Sequence, residues 1–187
     1  AMERREALSF VPTKEQWNLS FSIAQKQALV GVCFVGIERL PQEQRPDNGL
    51  IMQWWGLTHQ IEERNMMLNQ RSVETCRYFE KQGFRACVLK GQGNAAMYPW
   101  PLRRQSGDID VWVQPSADTY SIDKSRSAVL SWARKRYPKE EYDLKHIHFP
   151  IIRNVPMEVH FVPSLLRSPI ANRRLKRYYE QEAARHS

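Results

Sequence analysis

Apolar positions in the first half of the chain follow a helical spacing and predict two helices separated by a loop. Between residues 13 and 35 apolar side chains recur every three or four positions, and Thr13 stands where it can cap the first turn. A second helical pattern covers residues 53–82 and ends at Gly83, because glycine commonly terminates a helix. Residues 41–49 carry two prolines and a glycine, so we expect a loop there.

Short strand patterns begin at residue 86 and recur through the rest of the chain. The apolar run at residues 86–89 predicts a strand that is buried on both faces. Residues 108–113 alternate acidic with apolar side chains, as a strand with one polar face does. Two more strands are predicted at 146–152 and 156–162, joined by a turn at 153–155. Four strands are therefore available to one sheet.

Helical patterns lie between and after these strands. A short one covers residues 94–98, a longer one with a strongly basic outer face covers 121–137, and the polar segment from Ile170 is helical at most. The element order is therefore helix, helix, strand, short helix, strand, helix, strand, strand. This order favours an α+β fold, in which a mixed β-sheet has flanking helices on one side and an N-terminal helical extension.

Composition and charge narrow the class of protein and its partners. With 187 residues, of which 42% are hydrophobic and 26% charged, the chain has the size of one domain plus some additional helix. No apolar run approaches the roughly 20 residues of a membrane-spanning helix, so we expect no membrane partner. The net charge of +8 and the pI near 9.6 favour anionic partners such as nucleoside triphosphates or nucleic acid.

Cysteine usage bears on the compartment. The three cysteines are odd in number and lack Cys-x-x-Cys spacing, which argues against a disulfide framework and against a zinc site. A reducing cytoplasm is therefore the expected location of the protein.

Asp108 and Asp110 are the first candidate catalytic residues. Strand alternation puts both carboxylates on one face, about 7 Å apart, while the apolar residues between and after them enter the core. Two unpaired carboxylates on one face repel each other, and a divalent cation such as Mg²⁺ or Mn²⁺ removes the repulsion. The alternative is a solvated strand face that carries acidic residues for solubility alone.

Glu158 extends the pattern of acidic strand residues. Alternation within residues 157–161 places Glu158 and His160 on one face. If this strand pairs beside the first, Glu158 becomes the third carboxylate of a two-metal site, and otherwise it is an ordinary surface residue. His160 is expected to orient Glu158 or to contact phosphate. His146 and His148 could act as ligands or proton carriers near the site, but the pair lacks a third ligand and fits a half-exposed strand face better.

A glycine-containing turn precedes the carboxylates and offers a place for phosphate. Lys90, Gly91 and Gly93 follow the buried strand and lead into a short helix, so backbone amides and a helix dipole can face an anion. The glycine spacing is neither that of a P-loop nor that of a dinucleotide fingerprint. Lys90, Arg103 and Arg104 can neutralise phosphate charge, and the alternative is that they are ordinary solvated cations.

These motifs together resemble a known family. Their order resembles that of the uncharacterised nucleotidyltransferase family in the polymerase-beta-like superfamily, on the strength of residues 89–91, Tyr98-Pro99, Arg103 or Arg104, residues 107–110 and residues 157–161. The resemblance implies a palm of the nucleotidyltransferase type with a nucleotide at the glycine turn. It also implies that Mg²⁺ or Mn²⁺ is held by Asp108, Asp110 and Glu158.

The resemblance also implies a division of the chain into three parts. Residues 85–165 form the nucleotidyltransferase core, between an N-terminal helical region at 1–84 and a C-terminal helical segment at 166–187. Members of the family tend to carry more helical sequence after the third carboxylate. The last segment is therefore either truncated or that of a short family member.

The implied reaction moves a nucleoside monophosphate from a nucleoside triphosphate to a hydroxyl acceptor and releases pyrophosphate. ATP is the expected triphosphate, and the acceptor is left open among a protein, a small molecule and an RNA. The alternative is a catalytically inactive basic module that binds nucleotide or nucleic acid through cations such as those at residues 134–136 and 173–177.

Overall fold

The chain forms two compact units. The first comprises the chain up to residue 67 together with residues 95–106, and the second comprises residues 68–94 together with the chain from residue 107. The three-part division expected from the sequence stays a prediction. No described helix has an apolar stretch long enough to cross a bilayer. The computed structural model describes residues 7–116, 121–148 and 155–185.

Two helices begin the first unit. α1 covers Lys14–Lys26 and α2 covers Val30–Arg39, so the prediction of a single helix over residues 13–35 is wrong. The chain turns at Ala28, whose φ of 57° lies in the left-handed region and interrupts the helix. The turn gives α2 an apolar face of its own in a core formed by Phe21, Ala24, Val30, Phe34, Ile37, Leu50 and Trp54.

A capping box closes the N-terminus of α1. Thr13 Oγ1 accepts a hydrogen bond from the Gln16 amide at 3.3 Å, and Gln16 Oε1 accepts one from the Thr13 amide at 2.8 Å. The predicted cap is therefore confirmed. The box gives partners to two backbone amides near the helix start, where amides lack intrahelical acceptors.

Replacing Thr13 with Ala is expected to destabilise the folded chain by about 1 kcal/mol, because the Gln16 amide loses its acceptor. Ser20→Ala is the matched control, since Ser20 is an exposed residue inside the same helix. Helix propensity predicts that this control stabilises the chain by about 0.5 kcal/mol. Urea unfolding followed by circular dichroism measures both changes, and equal effects would mean that the cap contributes nothing.

The long helix α3 covers Asn48–Lys81 and starts before the position predicted from the sequence. Asp47 Oδ1 accepts a hydrogen bond from the Leu50 amide at 2.9 Å and caps this earlier start. The predicted loop before α3 is correspondingly shorter and contains a 3₁₀ turn at Gln42–Gln44. Gly83 follows the C-terminus with a φ of 82°, which confirms its predicted place.

Four strands form one mixed sheet in the second unit, with the order β1-β2-β4-β3 across the sheet. β2 runs parallel to β4, whereas β1 is antiparallel to β2 and β3 is antiparallel to β4. The predicted α+β fold with a mixed sheet is confirmed. The end of the third predicted strand and most of the turn after it lie outside the described residues. The strands are β1 (Phe84–Leu89), β2 (Ile109–Pro115), β3 (His146–His148) and β4 (Met157–His160).

Helices lie on both faces of this sheet, which corrects the prediction of helices on one side. On one face, α5 (Ile122–Arg136) and the C-terminal part of α3 contribute to a core that includes Leu68, Phe79, Ile109, Val111, Val113, Val129, Val159 and Phe161. On the other face, Tyr179 of α6 (Pro169–Arg185) contacts Trp112, with ring centroids 5.9 Å apart. The acidic residues of β2 and β4 share this second face.

The edge strand β1 differs from its prediction. Among the described strands it pairs with β2 alone, and its Cys87 is exposed, so the prediction of burial on both faces is wrong. A short apolar run does not reveal whether its strand lies at the centre or the edge of a sheet. After β1 the chain enters α4 (Lys90–Ala95), so the short helix starts earlier than the predicted residues 94–98.

Candidate active site

Two neighbouring parallel strands bring the three predicted carboxylates together. The register of β2 and β4 places Asp110 beside Glu158. Both side chains leave the sheet on the face opposite the apolar core, because the residues on either side of each point into that core. Asp108 comes two residues before Asp110. One carboxylate oxygen from each of the three residues lies within 4.8 Å of the others, and we call this set the carboxylate cluster.

Asp110 is the most buried acid of the carboxylate cluster, with a side chain that is 4% exposed. Its Oδ1 accepts hydrogen bonds from Lys90 Nζ at 2.7 Å and from His160 Nε2 at 2.8 Å. Burial raises the pKa of Asp110, but the hydrogen bonds from Lys90 and His160 outweigh burial and hold the pKa below its ordinary value. Asp110 is therefore a carboxylate at neutral pH.

Lys90 reaches Asp110 because α4 begins directly where β1 ends. Leu89 lies opposite Asp110 in the β1–β2 ladder, and Lys90 has a φ of 41°, which turns the chain sharply from strand into helix. The hydrogen bond to Asp110 raises the pKa of Lys90, so its ammonium group stays charged. In the structure the ammonium group of Lys90 contacts a member of the carboxylate cluster, and its predicted contact with phosphate stays a prediction.

The two glycines predicted to form a phosphate-binding turn lie inside α4. Gly91 and Gly93 are therefore helical, which corrects the prediction of a turn followed by a helix. A Cβ atom on Gly93 would come within 2.7 Å of the Val88 carbonyl oxygen, so the absence of a side chain lets α4 pack closely on the end of β1. Contact of either glycine with a triphosphate stays a prediction.

Arg103 and Arg104 belong to the first unit and have their own contacts there. Arg103 forms ion pairs with Glu38 and, at 2.8 Å, with Glu62, and the hydrogen bond to Glu38 is the main reason that its pKa is raised. Arg104 donates a hydrogen bond to Ser106 Oγ at 2.9 Å. Two carboxylates thus already compensate the charge of Arg103. A role for either arginine in phosphate binding stays a prediction.

Histidines on β3 and β4 lie close to Glu158. His146 Nε2 lies 3.6 Å from Glu158 Oε1, and His160 Nε2 lies 3.3 Å from Glu158 Oε2. The antiparallel register pairs His146 with His160 and His148 with Glu158, so their side chains share one face. The sequence shows that His146 and His148 alternate along one strand. It does not show that this strand pairs with β4, and that pairing is what brings both histidines to Glu158.

The donor set of the carboxylate cluster fits a hard divalent cation. Oxygen ligands from acidic residues suit Mg²⁺ and Mn²⁺, which keep further positions for water and phosphate oxygens. Lys90 compensates part of the negative charge from the side of Asp110, and His160 contributes a hydrogen bond there. The three converging carboxylates carry more negative charge than Lys90 neutralises, so these residues could hold a metal ion.

Carboxylates that converge from two parallel strands of a mixed sheet could hold metal ions of the kind that assist phosphoryl transfer. The chain belongs to the family described as Uncharacterised nucleotidyltransferase, whose sequence model matches residues 13–186. The fold is consistent with a nucleotidyltransferase, and membership in the family indicates a transferase that uses a nucleoside triphosphate. A search of the curated proteins and a search of the solved structures each found no significant match.

Proposed function

We propose that the chain is a metal-dependent nucleotidyltransferase that moves a nucleoside monophosphate to a hydroxyl acceptor and releases pyrophosphate. ATP is the expected donor, and the acceptor is a protein, a small molecule or an RNA. The observation that carries the proposal is the carboxylate cluster, whose oxygens from Asp108, Asp110 and Glu158 converge within 4.8 Å. Membership in the family supports the reaction class.

Asp108, Asp110 and Glu158 are the residues that would hold Mg²⁺ or Mn²⁺. When bound, such an ion supplies positive charge that offsets the charge developing on the phosphate oxygens. The sheet fixes the positions of two of these carboxylates, because Asp110 and Glu158 pair with each other on adjacent strands. Catalysis by such a site is mostly positioning and charge neutralisation.

In the proposed reaction the acceptor oxygen forms a bond to the α-phosphorus of the triphosphate. The bond between that phosphorus and the oxygen leading to the β-phosphate breaks, and pyrophosphate leaves with the electron pair. The proton of the acceptor hydroxyl passes to the carboxylate of Glu158, which His160 Nε2 approaches to 3.3 Å and helps to orient.

Lys90 is proposed to bind the phosphates of the triphosphate. Its side chain is 57% exposed although its Nζ donates to Asp110, so the other ammonium hydrogens can reach a ligand from solvent. Gly91 and Gly93 are proposed to approach the phosphates through the backbone of α4.

Calorimetric titration of each nucleoside triphosphate with Mg²⁺ tests the proposal. We expect the wild-type chain to bind at least one triphosphate only when Mg²⁺ is present, and Asp108→Ala/Asp110→Ala to abolish this binding. Asp123→Ala is the control, because Asp123 is an exposed acid of α5. An inactive basic module would instead keep or gain affinity when acidic groups are removed, and that result would overturn the proposal.

Lys90→Met is expected to shift two affinities in opposite directions. Removing a cation beside Asp110 should strengthen Mn²⁺ binding several-fold, roughly, since less positive charge then opposes the metal. Removing a phosphate ligand should weaken triphosphate binding about tenfold, the effect of one charge-assisted hydrogen bond. Electron paramagnetic resonance of Mn²⁺ and calorimetry measure the two affinities.

Lys135→Met provides the control for this prediction, because Lys135 is an exposed lysine of α5. It should change neither affinity measurably. If Lys90→Met instead weakened both ligands together, Lys90 would act only by holding the structure around Asp110.

A further inference from the structure

A second set of possible ligands lies beside the carboxylate cluster. One ligand atom from each of His146, Glu158 and His160 lies within 4.8 Å of the others. His148 adjoins this set, with its Nε2 3.2 Å from His146 Nε2 and its Nδ1 3.9 Å from Glu158 Oε1. We call these four residues the histidine cluster. It differs from the carboxylate cluster in chemistry, because nitrogen donors predominate.

The sheet register explains why the four side chains converge. β3 and β4 are antiparallel, and His146 pairs with His160 while His148 pairs with Glu158. Directly paired residues and residues two apart on a strand project from the same face, so the cluster rests on two strands rather than on a loop. Strands hold ligand positions more firmly than loops do, which favours a binding site.

The imidazoles of His146 and His160 are the two inner rings of the histidine cluster. The side chains of His146 and His160 are 12% and 3% exposed. The Nδ1 atom of each is buried and has no hydrogen-bond partner among the described residues. His146 Nδ1 nevertheless lies 3.6 Å from Asp143 Oδ1. A carboxylate beside Nδ1 can orient the ring of a histidine that binds a metal through Nε2.

The close approach of the rings also favours a cation. The rings of His146 and His160 have centroids 5.1 Å apart, and those of His146 and His148 are 4.7 Å apart. Imidazole rings this close to one another bring several nitrogen atoms to one place, where a single metal ion can bind them. Imidazole nitrogens with one carboxylate suit Zn²⁺ and similar transition metals, whereas Mg²⁺ prefers oxygen ligands.

We infer that the histidine cluster is a binding site for a transition metal ion of the Zn²⁺ class. His146, His160 and Glu158 supply three ligands, and His148 supplies the fourth. The site is separate in chemistry from the proposed Mg²⁺ set and shares only Glu158 with it. The cysteine-based argument against a zinc site does not apply here, because none of the four ligands is a cysteine.

Calorimetric titration of the untagged full chain with Zn²⁺, in the presence of excess Mg²⁺, tests this inference. We expect one Zn²⁺ per chain, and we expect His146→Gln and His148→Gln each to weaken Zn²⁺ binding by about tenfold or more. Co²⁺ bound in place of Zn²⁺ gives visible absorption bands that report its ligands, and these bands should change in both variants.

Two controls separate the histidine cluster from other sites. Asp108→Asn removes a ligand of the carboxylate cluster alone and should leave Zn²⁺ affinity within about twofold of wild type. His59→Gln removes an exposed histidine that lies 3.5 Å from Glu63 in the first unit, and it should also leave Zn²⁺ binding unchanged. Because His148 is exposed, His148→Gln keeps the test valid even if His146→Gln proves unstable.

Three results would overturn the inference. They are the absence of Zn²⁺ binding by wild type, unchanged binding in both histidine variants, and an equal loss in Asp108→Asn, which would put the ion in the carboxylate cluster. None of these results decides the proposed transfer reaction, whose readout is Mg²⁺-dependent binding of a triphosphate.

Discussion

Asp110→Asn is expected to slow pyrophosphate release by about 10³-fold, equivalent to about 4 kcal/mol of transition-state stabilisation. The amide has nearly the shape of the carboxylate, and its Oδ1 can still accept hydrogen bonds from Lys90 and His160. The variant therefore keeps the local geometry while it removes one negative charge from a buried position. A neutral amide binds a divalent cation much less strongly than a carboxylate does.

The measurement is pyrophosphate release from each nucleoside triphosphate with Mg²⁺ and a mixture of protein, RNA and small hydroxyl acceptors. Asp123→Asn is the matched control, because Asp123 is an exposed aspartate of the same unit and forms a surface ion pair with Lys176. That surface pair contributes little, so the control should stay within about twofold of wild type. Release that is undiminished in a folded Asp110→Asn variant would remove Asp110 from the catalytic set.

The carboxylate cluster was predictable to the extent that it depends on alternation within single strands. Asp108, Asp110 and Glu158 each follow a period of two, and that period fixes the face on which a side chain lies. The sequence could not supply the parallel register that puts Asp110 beside Glu158. Strand pairing is a non-local property, so the prediction had to be conditional on it.

The contacts of the basic residues were less predictable than the positions of the acids. Lys90 was expected near phosphate, but its hydrogen bond to Asp110 depends on a positive φ at a lysine, which no sequence pattern signals. Arg103 was expected near phosphate as well, and its ion pairs with Glu38 and Glu62 join residues far apart in the chain. Long flexible side chains find partners that local patterns do not define.

The predicted helix boundaries were wrong where a residue adopts a backbone conformation that is rare for its type. The turn at Ala28 divides the predicted first helix, yet alanine is the residue that most favours a continuous helix. Packing explains this exception, because the break lets Val30 and Phe34 join the same core as Trp54. Tertiary burial therefore outweighed local propensity at this position, whereas at Gly83 propensity and structure agree.

Gly31→Ala is expected to destabilise the first unit by about 2–3 kcal/mol, through overpacking against a rigid backbone. Gly31 lies in α2, and a Cβ atom there would stand 2.3 Å from the Arg103 carbonyl oxygen and 3.1 Å from the Arg103 Cα. Favourable contacts between heavy atoms occur near 3.5–4.0 Å, so α2 or the segment Pro101–Arg103 must move by about 1 Å. That movement also strains the ion pair of Arg103 with Glu38, which belongs to α2.

Gly36→Ala is the matched control for Gly31→Ala, since Gly36 lies in the same helix and no described heavy atom lies within 4 Å of an added Cβ. The control gains helix propensity and should stabilise the chain by about 1 kcal/mol. The two variants share the same chemical change and the same secondary structure, so their difference of about 3–4 kcal/mol isolates the steric contact. Urea unfolding followed by tryptophan fluorescence measures it, because Trp54 is buried in the first unit. Equal stability of the two variants would mean that α2 does not pack against Arg103 in solution.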